Sequence, residues 1–463
     1  MGCQIYIFLT LTLGIIVLFV DCVRYEPTWK SLDSRPLPEW YDQSKIGIFI
    51  HWGVFSVPSF GSEWFWYYWK GSKIKSFEMF MEKNYPPGFT YADFASQFHA
   101  EFYNPKKWVD IFKASGARYI VQVTKHHEGF TSWPSNHSFN WNAMAVGPKR
   151  DLVGELAAAV RSNSDLHYGV YHSLFEWFNP LYNMDKAANY TTHVYQQTKS
   201  SPELYELVKR YKPDIVWSDG PMGADSNYWK SKEFLSWLYN DSPVKDRVVV
   251  NDRWGSETGC KHGGYYTCSD RYNPGTLQKK KWENCMTLDL YSWGYRRRAK
   301  INDIIKIEDL IATLVETVSC GGNILINVGP TSSGIIVPIF EERLRQMGQW
   351  LTVNGEAIYS SKPWSYQNDT LTPKVWYTSQ NISQGLSKKI VYALVLQWPK
   401  DNVLVLKSPI ASKNTTVSLV GYPGTFPFSR LSNQGISIEI PVISFNQMPC
   451  SWAWTFKLTN IVN

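Results

Sequence analysis

Five short apolar runs in the first two thirds of the chain are each followed by side chains that can act as acids, bases or hydrogen-bonding groups. Taken alone, each such residue has a plain structural explanation; Asp219 in PDIVWSDG, for example, suits a turn or a helix N-cap. The same arrangement repeated five times indicates one shared polar site instead. The runs and their polar followers are 46–50 with His51, 119–123 with His126 and His127, 168–171 with His172, 214–217 with Asp219, and 248–250 with Arg253.

These runs alternate with segments that have the apolar periodicity of amphipathic helices. Strand–helix alternation over about 330 residues favours a parallel α/β architecture of the (β/α)8 TIM-barrel type. In such a barrel the carboxyl ends of all strands lie on one face, where active sites are built. A sixth apolar run, 323–328, completes the predicted strands. The predicted helices are 154–161, 202–211, 231–238 and 307–318.

The predicted site suits a polyhydroxylated substrate. It combines carboxylates, imidazoles, a guanidinium and tryptophans, and the sequence has no phosphate-binding loop. The substrate's hydroxyls need hydrogen-bonding groups, its C–H face needs an aromatic wall, and cleavage of its acetal needs two carboxyl groups. Asp219 suits the carboxylate that attacks or stabilises the anomeric carbon, because the positive charge of Arg253 would keep it ionised.

The second carboxyl group must come from a loop, and two residues are candidates. Asp270 ends the stretch YYTCSD, and Glu283 stands in KWENC. In both cases aromatic neighbours can desolvate the carboxyl group and raise its pKa, as an acid catalyst requires. At this point both candidates remain open.

Metal-dependent hydrolysis by His51, His126, His127 and Asp219 is the competing chemistry. Adjacent histidines on a strand point to opposite faces, and no HExxH or HxH spacing is present. We therefore predict a site without a metal or another cofactor.

The pattern of apolar and polar residues changes from about residue 362 onward. Short runs with period-two alternation follow one another, separated by Pro, Gly, Asn and Ser, which is typical of a β-sandwich. We predict a catalytic domain over residues 23–355 and a C-terminal β-sandwich over 356–463. The predicted strands are 375–378, 390–397, 403–406, 416–420, 436–440 and 452–458.

The N-terminus predicts entry into the secretory pathway. The apolar run 5–20 and the small residues before position 22 resemble a signal peptide over residues 1–22. Six Asn-X-Ser/Thr sequons agree with this route, and Asn240 is the least favourable because Pro243 follows its serine. Among the five cysteines that remain we expect Cys260 to pair with Cys268. The sequons are Asn136, Asn189, Asn240, Asn368, Asn381 and Asn414.

The formal net charge is +7, with basic clusters at 279–281 and 296–298. A basic balance suits nucleic acid or acidic glycans as partners. Because the positive residues are spread along the chain and no nucleic-acid-binding motif accompanies them, we predict solvated loops and no nucleic-acid partner. No other stretch is long and apolar enough to anchor the mature chain in a membrane.

A set of eight motifs, in this order, resembles one known family, the animal tissue-type α-L-fucosidases. These enzymes are retaining exo-glycosidases that remove terminal fucose, and the likeness runs from about residue 25 to the C-terminus. The motifs are FIHWGVFSVPSFGSEW, KHHEGF, YHSLFEWF, VWSDG, VVNDRWG, HGGYYTC, KKWENC and GGNILINVGP.

The resemblance implies a double-displacement mechanism, with Asp219 as the nucleophile and Asp270 or Glu283 as the acid/base. It implies a structural rather than catalytic role for Cys285, and a homo-oligomer, by analogy a tetramer. Fucosylated glycans are the implied substrates, in the lysosome or outside the cell. A fucose-binding, lectin-like protein without turnover is the alternative. The residues implied to bind fucose are His51, Trp64, His126, His127, Tyr171 or His172, Trp217 and Arg253.

Overall fold

The computed structural model describes residues 3–6, 19–22, 24–163, 165–382, 388–432 and 434–463. Most of the predicted signal peptide lies outside these ranges. Strands β1 (Cys3–Tyr6) and β2 (Phe19–Cys22) form a small antiparallel sheet. Within the described part of the chain, no helix combines the length and apolar character needed to cross a bilayer.

Seven parallel strands form one curled sheet, in the spatial order β7-β6-β5-β4-β3-β9-β8. The structure confirms the six strands expected from the sequence and adds β8, whose polar sequence WENCMT lacks an apolar pattern. The strands are β3 (Ile46–Ile50), β4 (Tyr119–Lys125), β5 (His167–Ser173), β6 (Ile215–Asp219), β7 (Val249–Val250), β8 (Trp282–Thr287) and β9 (Gly322–Val328).

Residues 264–266 bridge the two edges of this sheet and take the place of an eighth strand. The backbone N–H groups of Gly264 and Tyr265 donate to the carbonyl oxygen of Val250 at 3.1 and 3.2 Å. On the other side Tyr266 pairs in parallel with Trp282. The sheet therefore closes as a (β/α)8-like barrel through a segment too short and irregular to read as a strand.

Helices cover the outside of the barrel, and the four predicted from the sequence are confirmed. Several begin where the sequence provides a cap; Asn104 accepts from the N–H of Lys107 and precedes Pro105 at the start of α4. The helices are α1 (Trp29–Leu32), α2 (Glu39–Ser44), α3 (Lys75–Asn84), α4 (Pro105–Ala114), α5 (Leu152–Asn163), α6 (Pro180–Ala187), α7 (Ser201–Tyr211), α8 (Ser231–Asn240), α9 (Ile307–Ser319) and α10 (Pro338–Asn354).

The C-terminal part forms the predicted β-sandwich. Five antiparallel strands in the order β10-β11-β12-β17-β14 share a core with three in the order β13-β16-β15. Strands β10 and β15 were not predicted from the sequence, because few of their residues are apolar and buried. The strands are β10 (Lys362–Asn368), β11 (Val375–Ile382), β12 (Lys388–Val395), β13 (Val403–Leu406), β14 (Ala411–Leu419), β15 (Phe428–Arg430), β16 (Ile436–Glu439) and β17 (Trp454–Ile461).

The barrel interior holds a carboxyl group among aromatic rings. Glu283, on β8, is completely buried, and its Oε2 accepts from the hydroxyls of Tyr41 and Tyr119, both at 2.7 Å. Its Oε1 accepts from the indole N–H of Trp217 at 3.0 Å. This placement corrects the expectation that Glu283 lies on a loop beside the substrate.

We predict that Glu283→Ala destabilises the fold, because it leaves three buried donors without an acceptor. The expected loss is about 3 kcal/mol or more of the free energy of unfolding, measured by urea denaturation. Asp270→Ala, at the other candidate, is the matched control and should change stability by less than about 1 kcal/mol, since Asp270 is exposed. Equal stability of the two variants would contradict a structural role for Glu283.

Candidate active site

A cavity of 480 Å³ opens at the carboxyl ends of the barrel strands. It gathers polar groups that lie at or just beyond the carboxyl ends of the five strands β3 to β7, together with groups from the loops. Of the residues expected from the sequence, it is lined by His51, Trp64, His126, His127, Tyr171, Trp217, Asp219, Arg253 and Asp270.

Asp219, the last residue of β6, stands at the centre of this cavity. Its Oδ2 accepts from the hydroxyl of Tyr171 at 2.7 Å and lies 3.5 Å from Nε2 of His127. Burial raises the pKa of Asp219 above its ordinary 3.8, and the charge of Arg253 offsets part of the rise. Arg253 thus favours the ionised form of Asp219, as expected from the sequence, but desolvation has the larger effect on the pKa.

A single guanidinium links the carboxyl groups of Asp219 and Asp270. Arg253 Nη2 donates to Oδ1 of Asp270 at 2.7 Å, and Nη1 lies 3.5 Å from Oδ1 of Asp219. The guanidinium also lies over the ring of Trp217, 4.7 Å from its centroid. Both carboxyl groups are thus held at one end of the same planar cation, within reach of one small ligand.

Two neutral imidazoles line the cavity. Nδ1 of His51 lies 2.6 Å from Oδ1 of Asn327, an acceptor, so this nitrogen carries the proton of the neutral ring. Nδ1 of His127 lies 2.6 Å from Oγ of Ser173, which itself donates to the carbonyl oxygen of Phe175. Burial lowers the pKa of both histidines well below 6.5, which leaves each Nε2 as an acceptor for a hydroxyl.

The neighbouring pair His126 and His127 differs from the sequence expectation. Strand β4 ends at Lys125, so both histidines lie in the turn beyond it. Both rings line the cavity, with centroids 4.2 Å apart. The alternation rule for strands fails here because the strand has already ended.

His172 and Cys285 lie outside the cavity. His172 is completely buried on the helix-facing side of β5, where Nε2 lies 3.6 Å from Oε2 of Glu203. Of the alternatives Tyr171 and His172, the structure thus brings only Tyr171 into the cavity, as strand alternation requires. Cys285 is completely buried in the barrel interior, with Sγ 3.8 Å from Nη2 of Arg253, and burial raises the pKa of its thiol.

Glu63 and Trp293 also line the cavity, although neither was predicted from the sequence as a site residue. Oε2 of Glu63 accepts from the N–H groups of Trp293 and Gly294, both at 3.0 Å. Neither residue ends a strand, because both belong to long loops. The position of Glu63 directly before Trp64 in FGSEW was the available signal.

The predicted disulfide between Cys260 and Cys268 is confirmed, and Asp270 lies two residues beyond it along the chain. The buried carboxylate of Asp252 holds both cysteines, accepting from the N–H of Cys260 at 2.8 Å and of Cys268 at 3.1 Å. The other oxygen of Asp252 accepts from the hydroxyl of Thr267 at 2.6 Å. That hydroxyl in turn accepts from Nε of Arg253 at 3.0 Å, so the loop and the guanidinium are positioned together.

Comparison with known proteins decides the family. A family model for alpha-L-fucosidase matches residues 19–356, and a model for the alpha-L-fucosidase C-terminal domain matches residues 367–459. The chain belongs to the alpha-L-fucosidase family. It is therefore a glycoside hydrolase that acts on α-L-fucosides.

Individual relatives of the alpha-L-fucosidase family agree over nearly the whole length. The chain is 59% identical to an alpha-L-fucosidase of Branchiostoma floridae, covering 95% of this chain and 96% of the relative. It is 53% identical to the tissue alpha-L-fucosidase of Homo sapiens, with coverage of 95% and 92%. A crystal structure of the Thermotoga maritima alpha-fucosidase with a mechanism-based inhibitor is similar, with 31% identity and a TM-score of 0.79, and covers 94% of this chain and 100% of that one.

We predict that Asp252→Ala lowers kcat on an aryl α-L-fucoside by about a hundredfold, because Asp270 and Arg253 lose their common anchor. Asp33→Ala is the matched control, because Asp33 also accepts a backbone hydrogen bond from this loop but does not contact Asp270 or Arg253. Its Oδ1 accepts from the N–H of Gly263 at 3.0 Å. The control should keep most of the activity, and thermal unfolding checks that both variants are folded. Equal losses in the two variants would contradict the positioning role of Asp252.

Proposed function

We propose that the chain hydrolyses terminal α-L-fucosides by a retaining double displacement, with Asp219 as nucleophile and Asp270 as acid/base. The observation that supports this proposal is the pair of carboxyl groups held by Arg253 within one cavity. Retaining glycosidases need two carboxyl groups about 5–5.5 Å apart, close enough for direct attack on the sugar. Glu283 is a poor acid/base because it is completely buried and its oxygens accept three hydrogen bonds inside the barrel.

In the first step a carboxylate oxygen of Asp219 attacks the anomeric carbon. The bond to the leaving oxygen breaks, Asp270 gives that oxygen its proton, and a fucosyl ester of Asp219 forms. In the second step the Asp270 carboxylate takes a proton from water, whose oxygen attacks the anomeric carbon. The ester bond breaks, which releases fucose and restores both carboxyl groups.

The walls of the cavity suit a deoxy sugar. Trp64, Trp217 and Trp293 offer apolar surface for the methyl group and C–H bonds of fucose. The Nε2 atoms of His51 and His127 can each accept a hydrogen bond from a sugar hydroxyl. His126 completes the same wall.

The relatives and the sequons support a proposal for the cellular location of the protein. Similarity to tissue and plasma alpha-L-fucosidases leads us to propose a lysosomal or secreted enzyme that acts on fucosylated glycans. Asn136, Asn189, Asn368 and Asn414 are exposed and are proposed glycosylation sites. Asn240 is a poor acceptor, since its side-chain amide donates to the carbonyl oxygen of Tyr25 at 2.8 Å; the side chain of Asn381 lies outside the described residues. A tetramer and the absence of a cofactor stay predictions.

Asp219→Gly is expected to lose at least about a thousandfold in kcat on an aryl α-L-fucoside, because no carboxylate remains to form the ester. Added azide should restore part of the turnover by attacking the anomeric carbon from the vacated face, which gives the β-fucosyl azide. Thermal stabilisation by fucose serves as the control for an intact cavity. Activity close to wild type would contradict the assignment. A wild-type protein that fucose stabilises without turnover would instead favour the lectin-like alternative.

Asp270→Ala should lose most activity on substrates with poor leaving groups, since these need a proton in the transition state. The measurement compares kcat/KM on a fucosyl disaccharide with kcat/KM on an activated aryl fucoside. Glu283→Gln is the matched variant at the other candidate and should leave this ratio as in the wild type. A ratio that changes only in Glu283→Gln would transfer the acid/base role to Glu283.

A further inference from the structure

A second cavity of 410 Å³ adjoins the catalytic cavity and shares three of its wall residues. The shared residues are Glu63, Trp64 and Trp293, so the two spaces lie side by side. The remaining wall includes Arg271 and Tyr291, which the proposed mechanism does not use. A ligand that fills the first cavity and extends beyond it can therefore reach these two side chains.

The wall of the second cavity includes the residue that follows the proposed acid/base along the chain. An acid catalyst must reach the glycosidic oxygen, so the proposed mechanism requires the leaving sugar to lie next to Asp270. Arg271 is the following residue, and its backbone N–H donates to the carbonyl oxygen of Cys285 at 2.9 Å. Arg271 also has a left-handed backbone conformation with φ of 56°, which non-glycine residues adopt rarely and which clusters at functional sites.

The guanidinium of Arg271 has donors to spare. Both of its protein hydrogen bonds come from Nη2, to Oγ1 of Thr287 at 2.8 Å and to the carbonyl oxygen of Leu290 at 3.4 Å. Among the described residues no carboxylate oxygen lies within 4.0 Å of it, whereas its neighbour Arg296 is paired with Asp289 at 2.7 Å. Nε and Nη1 of Arg271 are therefore free to bind an anion in the forked geometry that arginine favours.

Aromatic surface accompanies this positive charge. Tyr291 is 67% exposed, and the guanidinium of Arg271 lies 5.7 Å from the ring centroid of Trp293. Exposed aromatic rings beside a cavity provide flat surface for a sugar ring. The combination suits a saccharide with an anionic substituent better than a purely apolar group.

We propose that this second cavity is the leaving-group subsite and that Arg271 there binds an anionic group, a sulfate or a carboxylate, on the sugar next to fucose. The proposal rests on the proposed function, since it places the leaving sugar beside Asp270. It assigns the enzyme a substrate class: fucosylated glycans with an acidic sugar adjacent to the fucose.

The test compares kcat/KM on one fucosyl disaccharide in three forms: neutral, O-sulfated on the leaving sugar, and with a uronic acid as the leaving sugar. We expect the wild type to prefer at least one anionic form over the neutral form by about tenfold, as a hydrogen bond to a charged group predicts. Arg271→Met should abolish this preference, and Arg271→Lys should retain part of it. Preference for only one anionic form would identify sulfate or carboxylate as the group recognised.

Arg298→Met is the matched control, because Arg298 is an exposed arginine that does not line the cavity, and its preference should equal that of the wild type. Absence of a preference in the wild type, or a preference that Arg271→Met and Arg271→Lys both retain in full, would overturn the proposal. Turnover of a neutral aryl fucoside by the wild type tests the proposed function separately. If the wild type does not turn over the neutral aryl fucoside, the proposed fucosidase mechanism is refuted. If it does, but shows no preference for an anionic form, only the proposed subsite is refuted.

Discussion

The contact between Arg253 and two carboxyl groups is the interaction on which the site depends. Asp219 and Asp270 come from a strand end and from a loop, and two carboxylates brought together in a cavity repel each other. The guanidinium between them supplies the opposite charge and a fixed planar geometry. Because Arg253 is nearly buried, its charge is screened little by water.

The barrel interior supports this contact from below. Trp217 provides the ring beneath Arg253, and its indole N–H is held by the buried carboxyl group of Glu283. Tyr41 and Tyr119 hold the same carboxyl group, so an acidic residue inside the barrel is fully hydrogen-bonded. Glu283 therefore holds the indole of Trp217, the ring over which the guanidinium of Arg253 lies.

Burial adjusts the charges of the remaining groups. It raises the pKa of Asp219 and lowers the pKa of His51 and His127, so each group is shifted toward its neutral form. The two imidazoles therefore line the cavity as neutral rings. Arg253, in contrast to these three groups, keeps its charge when buried, since a guanidinium does not lose its proton under ordinary conditions.

The sequence alone determined the barrel strands, the sandwich, the Cys260–Cys268 pair and most of the residues that line the cavity. Apolar periodicity marks the elements, and parallel strands bring the residues at their carboxyl ends, such as His51 and Asp219, to one face. The glycines at 263 and 264 allow the short loop between the two cysteines to close, whereas Trp64 and Tyr171 were indicated only by the resemblance to known α-L-fucosidases. Only the tertiary structure decided what depends on distant partners. Tyr41 is 242 residues from Glu283 along the chain, so no local pattern shows that β8 passes through the interior and hides that carboxyl group. Likewise, the bounds of β4 and the alternation of β5 decided that His126 enters the cavity and His172 does not, because a shift of one residue turns a side chain to the opposite face.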